Sequence, residues 1–328
     1  MGERMSKLFM NKKFSHKISF IILLIGLTPL VIVTSVAMDQ YRHAYQIKVY
    51  SHLDELVQKH GRLIDLFLEE RLRDISYLAQ ISNCEQLQDN AYLQNRLEIL
   101  QEESDNVFTD MGVVEIDVPG RQIAYAGPFD LDNARYGSAG WFRQAIRGDH
   151  FISNVFLGLR GSPHFIVAVK KTCGQNHWIV RATIDFSAFS RVVENLSSGE
   201  TGHAFIINRL GILQTRPRRA VDETVPGETV FENFDTLKRL FHNGQKALRH
   251  HISADGKTLV VTAYIKSGDW LLVYQQEKAD VFSALTRTHK IAFGALFIGT
   301  VGIVVLALYL PTVMLLKIGQ EYEKQNTS

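Results

Sequence analysis

Two apolar segments without a charged residue, 18–38 and 291–316, constrain this chain of 328 residues more than any other feature. A helix needs about 20 apolar residues to cross the hydrocarbon core of a bilayer, and each segment reaches that length. Pro311 lies near the end of the second segment, where a membrane helix tolerates it. The sequence therefore predicts two transmembrane helices with an ordinary soluble composition between them.

The residues before the first segment predict the orientation of the chain. Residues 1–17 contain one acidic residue, Glu3, and several basic ones: Arg4, Lys7, Lys12, Lys13 and Lys17. Because basic flanks stay in the cytoplasm, both termini are predicted to be cytoplasmic, and residues 39–290 to lie outside the cytoplasm. The alternative is a cleaved signal peptide ending near Ala37, but the apolar stretch exceeds the usual core of about 7–15 residues.

The charge balance and the cysteine count exclude several functional classes. The chain has 36 Lys and Arg against 34 Asp and Glu, whereas a dedicated nucleic-acid binder needs a strongly basic face. Its two cysteines, Cys84 and Cys173, could pair on the predicted oxidising side, although the pattern does not place them within reach. The sequence contains no phosphate-binding loop, nucleophile elbow or zinc-protease motif. We therefore expect no catalytic residue, metal or cofactor.

The exported segment begins with a helical pattern. Apolar residues at steps of mostly three and four keep one face apolar from Tyr45 to Ile81, and charged residues, Arg71 among them, occupy the opposite face. A stripe this long is typical of a domain's central helix that also packs on a partner helix, so we expect a homodimer through it. A second helix, 91–101, is predicted to pack back against the first.

The pattern then changes to the alternation of β-strands. Strands are predicted at 108–118, 122–126, 151–159, 164–171 and 178–186, with short helices at 141–147 and 189–196. A smaller set follows, with strands at 203–208, 212–215, 247–253, 258–265 and 270–275, a helix at 231–241, and a last helix, 279–289, leading into the second span. Short turns make each set antiparallel, and helices segregated from antiparallel strands predict an α+β fold.

Several local motifs resemble the double Cache family of extracellular sensor domains. Residues 69–75 resemble the helix that opens these domains. Trp141-Phe142 and the segments 151–153, 161–163 and 182–185 resemble the membrane-distal module in order and spacing, and 199–205 resembles the link into the proximal module. Over residues 40–290 the chain is similar to the sensor regions of bacterial transmembrane histidine kinases and chemoreceptors, which implies a bacterial inner (cell) membrane with residues 39–290 periplasmic or extracellular. The resemblance implies two PAS-like modules, a distal one at about 100–198 and a proximal one at about 199–277.

The resemblance also implies a small-solute pocket in the distal module. In amino-acid-sensing members, an Arg two positions before the Trp binds the ligand carboxylate, and an Asp on a late strand binds its ammonium group. Here Asp185 matches that Asp, whereas Ala139 stands at the Arg position. The usual contact with the carboxylate is therefore missing, which argues against an amino acid as the ligand.

The predicted ligand-binding residues combine aromatic walls with polar groups: Tyr125, Trp141, Phe142, Phe156, Arg160, His164 and Asp185. Arg160 and His164 flank a turn at Gly161, and both could donate to an anion. Each residue has a structural alternative. The aromatic residues could belong to the core, Arg160 could be a solvated turn residue, and Asp185 could cap the helix that follows it.

The function predicted from these features is a membrane-anchored sensor that binds a small extracellular solute and passes a conformational change through the second span, as in two-component signal transduction. Residues 317–328 are too few for a kinase or a signalling rod, so a separate signalling protein would have to read the change. The alternative is a membrane-anchored scaffold or the remnant of a truncated sensor kinase. An exported hydrolase is the weakest interpretation, because no nucleophile–base pair can be named.

Overall fold

The computed structural model describes residues 2–325 except 119, 195, 218–224, 232–233, 236, 239–248 and 253–255. Two compact units make up the chain. One consists of Met1–Tyr50 with Val281–Ser328, and the other of Ser51–Asp280.

The described elements begin with α1 (Gly2–Ile81), which runs from the first unit into the second. The elements that follow are, in chain order, α2 (Asn90–Glu103), β1 (Phe108–Glu115), β2 (Gln122–Ala126), α3 (Gly140–Ala145), β3 (His150–Ile152), β4 (His164–Cys173), β5 (Asn176–Asp185), α4 (Phe186–Glu194), β6 (His203–Asn208), β7 (Arg249–Ile252), β8 (Thr258–Ile265), β9 (Trp270–Glu277), α5 (Lys278–Val281) and α6 (Ser283–Gln325).

Both predicted spans lie in helices long and apolar enough to cross a membrane. The apolar windows of α1 and α6 each have a mean hydropathy of 2.6, and almost none of their residues is buried. Within this unit Ser19 Oγ donates a hydrogen bond of 2.7 Å to the carbonyl of Ala307. A Cβ at Gly26 would lie 3.0 Å from Ile303, so the glycine allows a close approach of the two helices. The orientation of the spans stays a prediction.

Two antiparallel sheets form the core of the second unit, which confirms the α+β fold. The larger sheet has the strand order β2-β1-β5-β4-β3 and the smaller one β6-β9-β8-β7. The strand predicted at 212–215 is reduced to isolated bridges, Ile207 with Leu213 and Ile212 with Val230. The helix predicted at 231–241 lies largely outside the described residues.

The apolar stripe of α1 packs into the second unit as its period predicts. Val57, Ile64, Leu68 and Ile75 are all buried. Arg71 corrects the prediction, because it lies in this buried stripe and not on the polar face. Its guanidinium lies 5.5 Å from the ring of Phe67 and 5.6 Å from that of Phe108, and it pairs with Glu70 and Asp74, which offsets the burial of its charge.

The strand predicted at 151–159 is much shorter in the structure. β3 ends at Ile152, Phe156 forms an isolated bridge with His164, and residues Gly158–Arg160 form a 3-10 turn. Gly158 has φ +57°, a left-handed conformation that is incompatible with a continuing strand. This segment therefore leaves the sheet edge and becomes available to line a cavity.

Cys84 and Cys173 form a disulfide, which answers the question that the pattern left open. The bond joins the turn after α1 to the end of β4. Next to it, Lys171 Nζ donates a hydrogen bond of 3.0 Å to the carbonyl of Ser82. The larger sheet is therefore fixed covalently to the segment that follows α1.

Aromatic side chains connect the larger sheet to the smaller one within the second unit. The ring of Phe165 on β4 lies 5.1 Å from Phe189 on α4 and 6.1 Å from Trp270 on β9. Phe189 also lies 5.7 Å from Trp270 and 5.9 Å from Phe67 on α1. Since Phe165 and its neighbours along β4 face opposite sides of the sheet, this cluster leaves the other face free for a cavity.

Candidate functional site

A cavity of about 550 Å³ lies on that other face of the larger sheet. Its lining comes from the loop before α3, from α3 itself, from β3 and the segment after it, and from β4 and β5. Apolar side chains form much of the wall: Leu131, Trp141, Phe151, Phe156, Leu159 and Ile166. The size, and the mixture of apolar walls with a few polar groups, are typical of a small-molecule site.

The short helix α3 gives the two aromatic residues at its start different roles. Successive helix positions point about 100° apart, so Trp141 lines the cavity while Phe142 packs into the core beside Ile166 and Ile179. The two rings are nearly perpendicular, with centroids 5.8 Å apart. Tyr136 stacks edge-on against Trp141 at 5.1 Å and so helps to hold the cavity wall.

Three buried charges meet at the end of the cavity nearest the sheet. The Asp110 carboxylate forms ion pairs with both Arg160 and Arg181, and all three side chains are at most 5% exposed. The hydroxyl of Thr183 donates to Asp110 at 3.1 Å and accepts from Arg160 Nη2 at 2.7 Å. Two guanidinium groups share one carboxylate, so the cluster carries one excess positive charge.

Neutral groups orient the second guanidinium. Arg181 Nη2 donates to Gln122 Oε1 at 2.6 Å and to the Tyr136 hydroxyl at 3.1 Å. The ring of Tyr136 lies 5.4 Å from this guanidinium, and that of Tyr125 lies 5.7 Å away. Arg181 Nε is buried and has no hydrogen-bond partner among the described residues. An unsatisfied donor of a charged group is costly in the free protein.

A β-bulge places Asp110 on the cavity face. Phe108 pairs with Ile184 but Asp110 pairs with Thr183, so β1 has one extra residue between these pairs. The extra residue moves Asp110 to the sheet face opposite to that of Phe108, which contacts Arg71 on the helix side. The bulge therefore separates a buried aromatic residue from a buried carboxylate two positions later.

Gly112 provides the space for the Arg181 side chain. It lies directly opposite Arg181 in the register of β1 and β5. A Cβ at Gly112 would be 2.6 Å from Gln122 Oε1 and 3.1 Å from Arg181 Nη2. The close approach of these polar groups to the backbone thus requires a glycine.

His164 lies at the cavity wall in its neutral form. Its pKa is lowered to about 4: burial is the main cause, the hydrogen bond to the Ser162 carbonyl opposes it, and the nearby charge of Arg160 adds to the lowering. Nδ1 lies 2.8 Å from that carbonyl oxygen, so the proton of the neutral ring is assigned to Nδ1. The ring stacks on Phe156 with centroids 4.5 Å apart.

The structure brings four of the seven predicted site residues to the cavity: Trp141, Phe156, Arg160 and His164. Phe142 lies in the core, and Tyr125 lies behind Arg181, where its hydroxyl accepts from the amide of Phe129 at 3.2 Å. Asp185 Oδ1 accepts from the amide of Ala188 at 2.7 Å and so caps α4. Arg160 is not a solvated turn residue, because its side chain is 5% exposed. A ligand contact by any of these residues stays a prediction.

Sequence reasoning missed Asp110, Arg181 and Arg135. Arg181 and Asp110 are charged residues inside otherwise apolar central strands, and such residues are almost never fully buried unless they are paired. That rule could have found both of them. Arg135 is exposed in the loop before α3 and lines the cavity, but its sequence context gives no signal. Among the described residues, no group of three or more His, Cys, Asp and Glu is placed to hold a metal ion.

Comparisons with solved structures show the same fold. The ligand-binding domain of the Pseudomonas fluorescens chemoreceptor CtaA, in complex with L-isoleucine, has 17% identity and a TM-score of 0.53, covering 74% of this chain and 98% of that one. The extracellular domain of the putative histidine kinase mmHK1S-Z3 has 14% identity and a TM-score of 0.54, covering 73% and 98%. The ligand-binding domain of the Pseudomonas aeruginosa PAO1 amino acid chemoreceptor PctB, in complex with L-Gln, has 15% identity and a TM-score of 0.53, covering 74% and 97%.

The family model and the fold lead to the same assignment. No curated protein sequence matches this chain. The family model described as a Cache domain, dCache_1, matches residues 41–285, which include both sheets and the part of α1 from residue 41 onwards. The chain therefore belongs to the double Cache family.

Proposed function

We propose that this protein is a membrane-anchored sensor that binds a small extracellular solute in the cavity on the larger sheet. The observation that carries the proposal is the cavity itself, which combines aromatic walls with a buried, positively charged cluster. A buried ion cluster is poor evidence for stability, since desolvation can exceed the gain from pairing. Groups of this kind beside a cavity instead indicate binding.

Relatives of this fold support a small solute as the ligand. The CtaA and PctB domains were solved in complex with L-isoleucine and L-Gln. Their sequence identities of 17% and 15% are too low to transfer the ligand itself. We propose that the module with the larger sheet is the membrane-distal, solute-binding one. The class of solute is argued below from the cavity itself.

Lys266 offers a route by which the cavity could affect the rest of the second unit. Its Nζ donates a hydrogen bond of 3.1 Å to the carbonyl of Ser153, which lines the cavity. Its backbone amide donates to Asp65 Oδ1 on α1 at 2.6 Å. Trp270 Nε1 donates to Asn154 Oδ1 at 2.7 Å, so the cavity wall contacts the smaller sheet twice.

The chain continues from this contact region towards the second span. Trp270 begins β9, and α5 and α6 follow it in sequence. Within α5, Asp280 Oδ2 accepts from the amides of Glu200 and Thr201, in the link before β6. We propose that solute binding shifts these contacts and thereby α6, which a separate signalling protein would read.

A cavity-filling variant tests the solute proposal directly. Gly140 lines the cavity and a Cβ there has no atom within 4 Å, so Gly140→Phe is expected to place a ring at the cavity wall. Gly148→Phe is the matched control, because Gly148 is exposed and does not line the cavity. The full chain in nanodiscs is melted with a panel of amino acids, carboxylates, amines, purines and sugars.

The proposal predicts a concentration-dependent rise in melting temperature for at least one compound, in the wild type and in Gly148→Phe. A ligand at a hundred times its Kd stabilises the folded state by about 2.7 kcal/mol. Gly140→Phe should lose most of that rise. An equal rise in Gly140→Phe would place the binding site elsewhere, and no rise for any compound would favour a scaffold.

A further inference from the structure

We infer that the cavity selects a small organic anion, namely a carboxylate on an apolar body without a cationic group. This inference rests on the proposed function, because it names the class of solute that the same cavity binds. The basic lining, the charge of the buried cluster, the lack of a carboxylate for an ammonium group, and the apolar walls each support it.

The charged groups that line the cavity are all basic. Arg135, Arg160 and Arg181 contribute to the lining, and none of the described residues that line it is acidic. Asp130 and Asp132 lie in the same loop as Arg135, but they are exposed and do not line the cavity. A solute in the cavity therefore meets a positive potential, which favours an anion.

The buried cluster has an incomplete charge balance. Asp110 neutralises one of the two guanidinium groups that contact it and leaves one positive charge in a region of low dielectric. A carboxylate near Arg160 and Arg181 would compensate the charge and could accept in the bidentate geometry that guanidinium groups favour.

Arg135 extends this basic lining towards solvent. Its side chain is exposed, and it forms no ion pair among the residues that the structure describes. By contrast, the neighbouring Arg121 pairs with Glu115 at 2.7 Å and does not line the cavity. Arg135 is therefore available to contact an anionic group of a bound solute.

The cavity offers no carboxylate to an ammonium group. Asp110 is covered by its two arginines, and Asp185 is engaged in capping α4. Asn154 Oδ1, a neutral acceptor at the wall, already accepts from Trp270 Nε1. An amine or a zwitterion would bury its cation beside an excess positive charge without a carboxylate to pair with it, which is unfavourable.

The walls require an apolar body on the anion. Trp141, Phe151, Phe156 and Ile166 line a volume of about 550 Å³. Inorganic phosphate or sulfate would leave most of this apolar surface uncovered, whereas an aliphatic or aromatic acid would bury it. The class of ligand is therefore an organic acid and not a simple inorganic ion.

A matched triple of compounds tests the inference on the full chain in nanodiscs. L-leucine carries both charges, 4-methylpentanoate lacks the amine, and 3-methylbutylamine lacks the carboxylate, while the apolar body is nearly the same. We expect 4-methylpentanoate to bind about tenfold or more tightly than the other two, by calorimetry. L-phenylalanine, 3-phenylpropionate and phenethylamine form a second triple for a larger body.

The three outcomes separate the inference from the proposed function. Preference for the carboxylate in either triple supports both. Tighter binding of the amino acid or the amine overturns the anion inference and leaves the sensor proposal standing. If no compound in the triples or in the wider panel binds, both are contradicted.

A pair of arginine variants adds a residue-level test. Arg135→Gln removes an exposed charge at the cavity and leaves the buried cluster intact, so it should fold normally and weaken carboxylate binding roughly fivefold. Arg121→Gln is the matched control, because it changes a neighbouring arginine that does not line the cavity. It should leave the affinity for the carboxylate unchanged. Equal affinities of the two variants would overturn the assignment of Arg135 to the anion site.

Discussion

At the scale of single residues, the candidate site depends on how Asp110 is shared. The carboxylate holds two guanidinium groups, and Thr183, Gln122 and Tyr136 form further hydrogen bonds with the members of this cluster. Removing one member of such a buried cluster leaves an uncompensated buried charge, which typically lowers the free energy of unfolding by about 3–5 kcal/mol. The cluster is therefore best tested through its neighbours and not through the three charged residues themselves.

Gly112→Ala provides such a test. The added methyl would lie 2.6 Å from Gln122 Oε1, so the amide and Arg181 must move apart. We expect the free energy of unfolding to fall by about 1–3 kcal/mol, measured by urea denaturation. Gly140→Ala, at an open position in α3, should be neutral or slightly stabilising. Equal midpoints for the two variants would contradict the packing described for Arg181.

His164 predicts a pH dependence of stability. Its pKa is lowered to about 4 in the folded protein, mainly by burial, and Arg160, Arg181 and Asp110 are the charged groups that act on it. The unfolded state therefore takes up a proton first, and stability is lost as the pH falls from about 6.5 towards 4. The loss attributable to His164 is on the order of 3 kcal/mol.

The measurement for His164 compares unfolding free energies across that pH range with those of His164→Asn. The asparagine amide can still donate to the Ser162 carbonyl but does not titrate. A shallower dependence in the variant is expected. Parallel curves would show that the histidine is already charged, or equally accessible, in the folded protein.

Residue-scale prediction from the sequence left two roles open for Arg160 and Asp185. Arg160 lines the cavity, where its contact with a ligand stays a prediction, whereas Asp185 has the alternative role of a helix cap. Asp110 could not be placed, because an ideal alternation puts it on the same face as Phe108, and the bulge that separates them depends on pairing with β5.

At the scale of elements, periodicity predicted the long helices and most strands. The segments 122–126, 203–208 and 258–265 match the observed strands, since each alternates and ends at a turn. The prediction of a strand at 151–159 is wrong because apolar residues there line the cavity and do not cover a sheet face. Whether a short apolar segment joins a sheet depends on tertiary contacts that its own sequence does not carry.

The disulfide gives an element-scale prediction. Cys84 and Cys173 are 89 residues apart in sequence, so their bond restricts a large loop of the unfolded chain. The variant Cys84→Ser/Cys173→Ser should lose about 2–4 kcal/mol of unfolding free energy. The control is the wild type melted after reduction, which should match the double variant. An unchanged stability would contradict a stabilising role for this bond in the larger-sheet module.

At the scale of the whole molecule, the chain combines two apolar helices with a double Cache domain between them. This organisation was predictable because the uncharged segments are long and the Cache motifs occur in order. The homodimer through α1, the cytoplasmic position of the termini and the signalling partner stay predictions. The contacts of Lys266 bear on communication between the two sheets of the second unit. That communication is a property distinct from the stability of the unit.

Hydrogen exchange of the full chain, with and without the carboxylate that raises the melting temperature most, tests the central claim most directly. We predict slower exchange in residues 135–145 and 150–168 at the cavity, and a change in residues 262–270 around Lys266. In Lys266→Met the protection at the cavity should remain, while the change in 262–270 should be lost. Protection confined to regions away from the cavity would contradict the account.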